Sequence, residues 1–372
     1  MDCIDTKIRR ICGTVVKSIP LRRIRKLWGD DALCYTPIQI EPLSVIEEPF
    51  TPLIHVVERK EQFVNVLVTG GAGFIGSHIV DAFVERGDRV VVLDNLSAGS
   101  TQNLNPEAEF IEDDITDSAL VRRIFREHKF EIVNHHAAQL DIRKSVADPV
   151  FDAQQNILGT LNLLEAAKEV GTVKRFMFAS TGGAIYGEQD YFPADEKHPT
   201  RPISPYGVAK RSIELYLHYY HEVHGIEYVA FRYTNVYGPR QSPHGEAGVV
   251  AIFTEQLLNG EPAIIHGDGT QTRDYVYVGD VVRAHLLALE TLKGSDIFNI
   301  STATETDVNE IFKILSELTT NGKAQPKHGP AKAGEQQRSV CSYDYTKRVL
   351  GWQPEMKLTE GLRETVDFFQ RK

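Results

Sequence analysis

At 372 residues, 42% apolar and 25% charged, the chain has the make-up of an ordinary soluble globular protein with room for a large core. Its net charge of −10 excludes whole-surface attraction to nucleic acid or anionic lipid, so any basic site must be local. No apolar run approaches the roughly 18 residues of a membrane span, and no apolar segment follows the N-terminal charges as a secretory signal requires. The four cysteines, Cys3, Cys12, Cys34 and Cys341, form no CxxC pair and have no histidines at zinc-finger spacing. That argues against a disulfide framework and a metal site, and a reducing, cytoplasmic setting is expected.

Residues 1–62 differ in texture from the rest. Between Lys7 and Lys26 stand eight Lys/Arg and no acid, interleaved with Ile8, Ile11, Val15 and Ile19; Pro20 interrupts any helix. Pro37, Pro42, Pro49 and Pro52 then punctuate an extended stretch. Two readings stay open: a poorly ordered tail, or a basic arm (residues 7–26) that touches a membrane surface or a partner protein. Asp2 and Asp5 fit poorly with an acid-poor targeting peptide.

From Val64 strand and helix patterns alternate. Apolar, β-branched runs fall at 64–70, 89–95, 109–115, 131–137, 174–180 and 227–233. Helical patterns lie between them, notably 76–87 and 156–171; in the latter Ile157, Leu161, Leu164 and Ala167 form one apolar face. Strands covered on both sides by crossover helices read as continuous apolar runs. The expected fold is therefore α/β: a Rossmann-type doubly wound parallel sheet over 63–236, then a smaller C-terminal α/β substrate-binding lobe over 237–372. Helices are expected near 249–259, 307–320 and 359–370, and the segment near 276–300 is expected to return to the first domain.

The run VNVLVTGGAGFIGSH sets a strand, a glycine turn and a helix in order. Gly71, Gly73 and Gly76 match GxGxxG, and Gly70, Gly73 and Gly76 match GxxGxxG; such a turn lets backbone N–H groups meet a pyrophosphate at a helix N-terminus. Asp94 closes the next strand, where a carboxylate accepts from ribose hydroxyls and disfavours a 2′-phosphate, hence NAD over NADP. Asp114 and Ile115 end the third strand and are candidates to meet the adenine. Tyr206 and Lys210, at i and i+4, project from one helix face. An ammonium beside the phenol lowers its ordinary pKa of about 10 toward the working range of a base. Upstream, either Ser180 or Thr181 can relay a proton, or simply satisfy a strand end. His218, His221 and His224 do not share one helix face and are read as scattered surface residues.

Together TGGAGFIGSH, LDNLS, HHAAQ, STGGAIYG, SPYGVAK, RYTNVYGPRQ and GDGTQTRDYVYVGDV resemble the NAD-dependent epimerase/dehydratase family of extended short-chain dehydrogenase/reductases, and within it the bacterial-type UDP-glucose 4-epimerases. The similarity runs over residues 64–369. It implies a UDP-hexose 4-epimerase that oxidises C4 through tightly held NAD and re-reduces it on the other face, with Tyr206 as base, Thr181 beside it and Lys210 orienting the cofactor. Phe74, Ile75, Asn95, Ala137 and Tyr233 would join the cofactor contacts, and Asn156 would belong to the framework and proton relay, its alternative being a helix N-cap. Asn235 and Arg273 would meet the diphosphate, although Arg273 also reads as a surface residue next to Asp274. Ile264 and His266 would flank the uracil, and Val249 would join the substrate contacts.

Some positions depart from the family pattern. Lys332 stands where several relatives carry an arginine clamp, and keeps charge without bidentate geometry. Leu140 replaces a lysine found in some epimerases. Cys341 falls where a large residue restricts 2-acetamido sugars, so it either leaves room for an N-acetyl group or fills a small gap. Gly182 and Gly183 follow Thr181 where dehydratases and decarboxylases place an acid, which favours epimerisation. UDP-glucuronate 4-epimerisation and a non-catalytic NAD-binding subunit are the competing readings, and the resemblance implies a homodimer through helices 156–168 and 206–223.

Overall fold

The computed structural model describes residues 63–244, 248–331 and 336–371. The N-terminal extension, including the basic arm, lies outside these residues, as does Lys332. Seven strands form one parallel sheet: β1 (Asn65–Thr69), β2 (Arg89–Asp94), β3 (Glu109–Glu112), β4 (Ile132–His135), β5 (Arg175–Thr181), β6 (Glu227–Tyr233) and β7 (Asp296–Ile300). Their spatial order is β3-β2-β1-β4-β5-β6-β7. Every pairing is parallel.

The sheet is buried on both faces, which is why its strands lack a polar alternation. On one face Leu67, Leu93, Val133, Phe176 and Phe178 meet α2 (Ser118–His128), α4 (Gly159–Val170) and α5 (Pro205–His224). On the other, Val66, Val68, Val92, Met177 and Phe231 meet α1 (Phe74–Glu85) and α7 (Val278–Thr291). Strand order reverses between β1 and β4, and in such folds the crevice at that point, at the carboxyl ends of the strands, is where ligands bind.

The two predicted helices differ from expectation in instructive ways. The first begins at Phe74, because Gly73 already has extended backbone as its N-cap. The second is the end of a longer helical run: α3 (Pro149–Ala153), a π-turn (Gln154–Leu158), then α4. The extra residue per turn rotates the apolar face, so Thr160, Leu163, Leu164 and Ala167 are buried while Ile157 is only half-buried. The smaller lobe packs α6 (Val249–Leu258), α8 (Val308–Thr320) and α9 (Leu358–Gln370) around Val250, Phe253, Ile265, Ile311, Phe312, Leu315 and Leu362. Short parallel pairs tie it together, among them 235–237 with 275–277 and 264–266 with 327–329. Between 277 and α8 the chain returns to the main sheet, where β7 pairs with β6.

Candidate active site

The turn between β1 and α1 has the shape of a dinucleotide cradle. Gly70 has φ +71°, and a Cβ there would stand 2.5 Å from the Ala137 amide N. A Cβ at Gly76 would stand 2.2 Å from Gly70 O, whereas at Gly73 the same oxygen is 3.1 Å away. Backbone approaches backbone so closely at 70 and 76 that only glycine fits. Gly71 faces Val92 instead, its Cβ position 2.8 Å from the side chain, so it serves helix–sheet packing.

Asp94 is buried and spans this turn: its carboxylate accepts from Ala72 N at 3.0 Å and Leu96 N at 2.8 Å. Burial raises its carboxyl above the ordinary range. Asn95 donates to Asp114 at 2.7 Å, joining the ends of β2 and β3. Ile115 behaves differently from its neighbour, because its side chain is in the core under Gly159, whose Cβ would lie 2.6 Å from it. The cradle, the acid at the end of β2 and the Asn95–Asp114 pair fit NAD, whose pyrophosphate and adenosine ribose these positions would hold.

A buried hydrogen-bond chain crosses the switch point. Ala137 N donates to Thr69 Oγ1 at 3.3 Å, Thr69 Oγ1 lies 2.7 Å from His135 Nδ1, and His135 Nε2 lies 2.8 Å from Thr160 Oγ1. Thr160 spends its proton on Asn156 O at 2.6 Å. His135 Nε2 must therefore donate; burial holds its pKa well below the ordinary value, so the imidazole is neutral and Nδ1 accepts from the Thr69 hydroxyl. A second set runs from His136 Nε2 to Asn134 Oδ1 (2.8 Å), from Asn134 Nδ2 to His285 Nδ1 (3.0 Å) and from His285 Nε2 to the Tyr233 hydroxyl (2.5 Å). Tyr233 thus sits among the residues of the α7 face of the sheet, with its hydroxyl engaged by a histidine that sequence reasoning had not singled out.

Asn156 is not an N-cap. It lies in the π-turn, fully buried, and each part of its amide is used: Oδ1 accepts from Gln139 N at 2.9 Å, and Nδ2 donates to Gln139 O and Asp152 Oδ1, both at 3.0 Å. Its side chain is framework.

The Tyr206–Lys210 pair owes its position to the start of α5. Ser204 accepts from Gly207 N at 3.1 Å and Pro205 opens the helix, an N-cap worth about 1 kcal/mol. Tyr206 therefore falls in the first turn and Lys210 one turn later. Lys210 is buried, donates to Ala179 O at 2.8 Å, and lies over the rings of Phe178 (4.7 Å) and Tyr206 (5.7 Å). Burial pushes its ammonium down to about 7. Burial also pushes the Tyr206 phenol up, and the charge of Asp152 adds to this. The ammonium alone thus does not deliver a phenolate.

Ser180 and Thr181 divide their work. Ser180 is buried and donates to Glu214 Oε1 at 2.7 Å, and Arg232 grips the same carboxylate at 2.9 and 2.8 Å. Thr181, at the strand end, accepts from Ala184 N at 3.2 Å, which leaves its proton available to a ligand.

Asn235, Val249, Ile264, His266 and Arg273 come together around one cavity of about 390 Å³, with Gln241 and Tyr275 also in its wall. Thr181 pairs with Tyr233, two residues before Asn235, so one strand joins the hydroxyl to this cavity. Arg273 is partly buried rather than a surface residue, and Asp274 does not hold it at the surface. The Asp274 carboxylate is fully buried and accepts from Thr302 N (2.8 Å), Thr302 Oγ1 (2.7 Å) and Ala303 N (3.1 Å); burial pushes it up to about 6. Cys341 is not in that cavity wall. It is fully buried behind the Thr181 loop, where a Cβ on Gly182 would lie 3.1 Å from its Sγ. Leu140 is half exposed. Among the described residues, no group of three or more His, Cys, Asp or Glu is placed to hold a metal ion.

A doubly wound sheet with a glycine cradle at its switch point, and with a half-buried tyrosine one turn before a buried lysine at the start of α5, defines a dinucleotide-binding fold with a candidate redox pair. The model of the NAD dependent epimerase/dehydratase family matches residues 66–301, and the chain belongs to that family. It is 51% identical to the crystallised UDP-glucose 4-epimerase of Thermotoga maritima bound to UDP-glucose, over 82% of this chain and 99% of that one, with a TM-score of 0.80. The Thermus thermophilus UDP-glucose 4-epimerase in complex with NAD is 46% identical over the same shares, with a TM-score of 0.77. The UDP-glucose 4-epimerase of Mycolicibacterium smegmatis is 42% identical over 83% of this chain and 99% of its own.

Proposed function

We infer that the chain is an NAD-dependent UDP-sugar 4-epimerase, and propose that its substrates are UDP-glucose and UDP-galactose or their N-acetyl forms. The observation that carries the reading is the single cavity that joins the apolar positions Val249 and Ile264 to the cation Arg273 and the amide Asn235. A planar base needs an apolar slot, and a diphosphate needs charge-assisted donors.

NAD, when bound, supplies a reversible hydride acceptor for C4. The chain's own residues do the rest. Tyr206 takes the proton of the C4 hydroxyl, Thr181 holds the same oxygen by a hydrogen bond, and Lys210 contributes a positive charge that favours the phenolate. No acid follows Thr181 in Gly182–Gly183, so the site has no group there to drive elimination or decarboxylation after oxidation. The keto sugar is re-reduced, and the net change is an inverted C4.

A homodimer is proposed on the same terms. Val208, Leu215, Tyr216, Tyr219 and Val223 form an exposed apolar stripe along α5, and Val150 and Leu158 continue it on the neighbouring helical run. A stripe of this length on a soluble enzyme marks an association surface.

The test is to incubate purified protein, without added cofactor, with UDP-glucose, UDP-N-acetylglucosamine and UDP-glucuronate separately, and to follow each by proton NMR. The C4 epimer of a neutral sugar is expected, and none from Tyr206→Phe. Conversion of the glucuronate alone would transfer the reading to that acid, and conversion of none would refute it.

A further inference from the structure

Asp152 is a buried carboxylate that the reaction above does not use. It lies at the end of α3, 1% exposed, and Gln139 Nε2 (3.1 Å) and Asn156 Nδ2 (3.0 Å) both donate to its Oδ1. These two amides are themselves fixed, since Gln139 Oε1 accepts from Asp141 N at 2.7 Å and Asn156 is held by the Gln139 backbone. Asp152 and Ala153 at the end of α3 line one crevice with Ser204, Pro205, Val208 and Ala209, the residues that flank Tyr206 and precede Lys210 on α5, so the end of α3 packs against the first turns of α5. A buried carboxylate with only neutral donors is expensive, unless a cation shares its surroundings.

The surrounding charges single out that cation. His135 at the end of β4 and His136 just beyond it feel the Lys210 charge, and both are kept neutral, His136 down at about 3, by burial and by that charge. Glu214, one turn along α5, is committed to Arg232 and Arg211. From α3 comes Asp152, whose charge both Lys210 and Tyr206 feel.

We propose that Asp152 is a positioning residue of the redox pair: its fixed, buried carboxylate is the counter-charge that keeps Lys210 an ammonium in a dry site. Burying a lysine strips its hydration and drives it toward the neutral amine. A neutral Lys210 would lose the charge that favours the phenolate.

The experiment compares the NAD-loaded parent with Asp152→Asn and Asp152→Glu. Lysine side chains labelled with 13C at Cε are titrated by NMR, with Lys210→Met to assign the Lys210 signal. Asp152→Asn, isosteric but uncharged, is expected to lower the Lys210 midpoint by about 1 pH unit and to move the alkaline limb of the kcat profile with it. Asp152→Glu is expected to keep both near the parent. Asp152→Ser carries the same expectation as Asp152→Asn and replaces it if that variant does not fold. An unmoved Lys210 midpoint, or equal loss of kcat in Asn and Glu variants with no pH shift, overturns the proposal in favour of a purely structural role. The kcat arm rests on the epimerase reading, but the NMR arm does not. A parent that converts no UDP-sugar would therefore refute the proposed function while the Lys210 midpoint still decided the role of Asp152.

Discussion

Mild acid should destabilise this protein, because two buried histidines, His135 and His285, and the partly buried His136 are kept neutral near the switch point. His135 and His285 are held well below the ordinary value by burial, and His136 is down at about 3. Their unfolded-state value is about 6.5. A base whose folded pKa is depressed binds more protons in the unfolded chain, so its contribution is complete above 6.5 and is lost as pH falls. At pH 5 His136 has lost about 2 kcal/mol, the 1.5 units below 6.5 at about 1.4 kcal/mol per unit, and His135 and His285 add losses of the same sign. Asp274 acts in the opposite sense. Its folded pKa of about 6 lies above the unfolded value, so between about 6 and 4 the fold takes up a proton first and regains about 1 kcal/mol at pH 5. Asp94, Asp152 and Glu196, also raised by burial, reinforce that relief. The three histidine losses outweigh the carboxylate relief, so stability should fall between pH 7 and pH 5, a drop that matters against the 5–15 kcal/mol typical of a folded protein. Urea unfolding at pH 7, 6 and 5, with saturating NAD throughout, measures it. His285→Gln keeps an acceptor for Asn134 and a donor for Tyr233, and should flatten the slope by about 1.4 kcal/mol per pH unit. Equal stability at pH 7 and pH 5, or a His285→Gln slope equal to that of the parent, would refute the reasoning.

Three substitutions probe the rest of the site. Gly76→Ala drives a methyl to within 2.2 Å of Gly70 O; it should cost about 1–3 kcal/mol and release bound NAD, with Gly73→Ala much milder, as bound-cofactor absorbance will show. Arg273→Ala should raise KM for the UDP-sugar about 10- to 100-fold through loss of charge-assisted bonds worth about 1.5–3 kcal/mol, and Arg273→Lys should recover only part, by steady-state kinetics. Glu214→Gln leaves Arg232 charged and buried, so urea unfolding should report a loss of about 3–5 kcal/mol.

Sequence reasoning succeeded where a function depends on local spacing and failed where it depends on which residues the fold brings together. The six strands of the first half and the Tyr206–Lys210 pair were legible because burial on both faces erases alternation, and because i, i+4 on a helix is a fixed geometry. Gly70 was legible only as one of two overlapping patterns; the 2.5 Å approach to Ala137 that selects it comes from a strand 67 residues away in the chain. His285 and Asp152 carried weaker signals. Asp152 precedes Asn156 by four residues, which on a regular helix reads as an ordinary side-by-side pair, and nothing in the composition announces a π-turn. Ser180 and Thr181 are chemically alike and adjacent, so no pattern could separate them. Strand alternation does so in three dimensions, since residue 180 points down to Glu214 within the fold and residue 181 is left at the rim.

The same logic explains why the sequence left Cys341 between two readings, room for an N-acetyl group or the filling of a small gap. Its position in the chain says only that it follows a short strand near the C-terminus, but the fold stacks it beneath Gly182, with Asp274 receiving its amide at 3.4 Å. Any influence on the sugar must pass through the Thr181–Gly183 backbone. A larger residue at 341 would press on Gly182, 3.1 Å from Sγ, and displace the Thr181 hydroxyl. Cys341→Tyr should therefore lower kcat for every sugar alike, whereas a residue that formed the pocket wall would change KM for N-acetyl sugars alone. Parallel kinetics with UDP-glucose and UDP-N-acetylglucosamine separate the two, and a selective loss of the N-acetyl substrate would return Cys341 to the pocket.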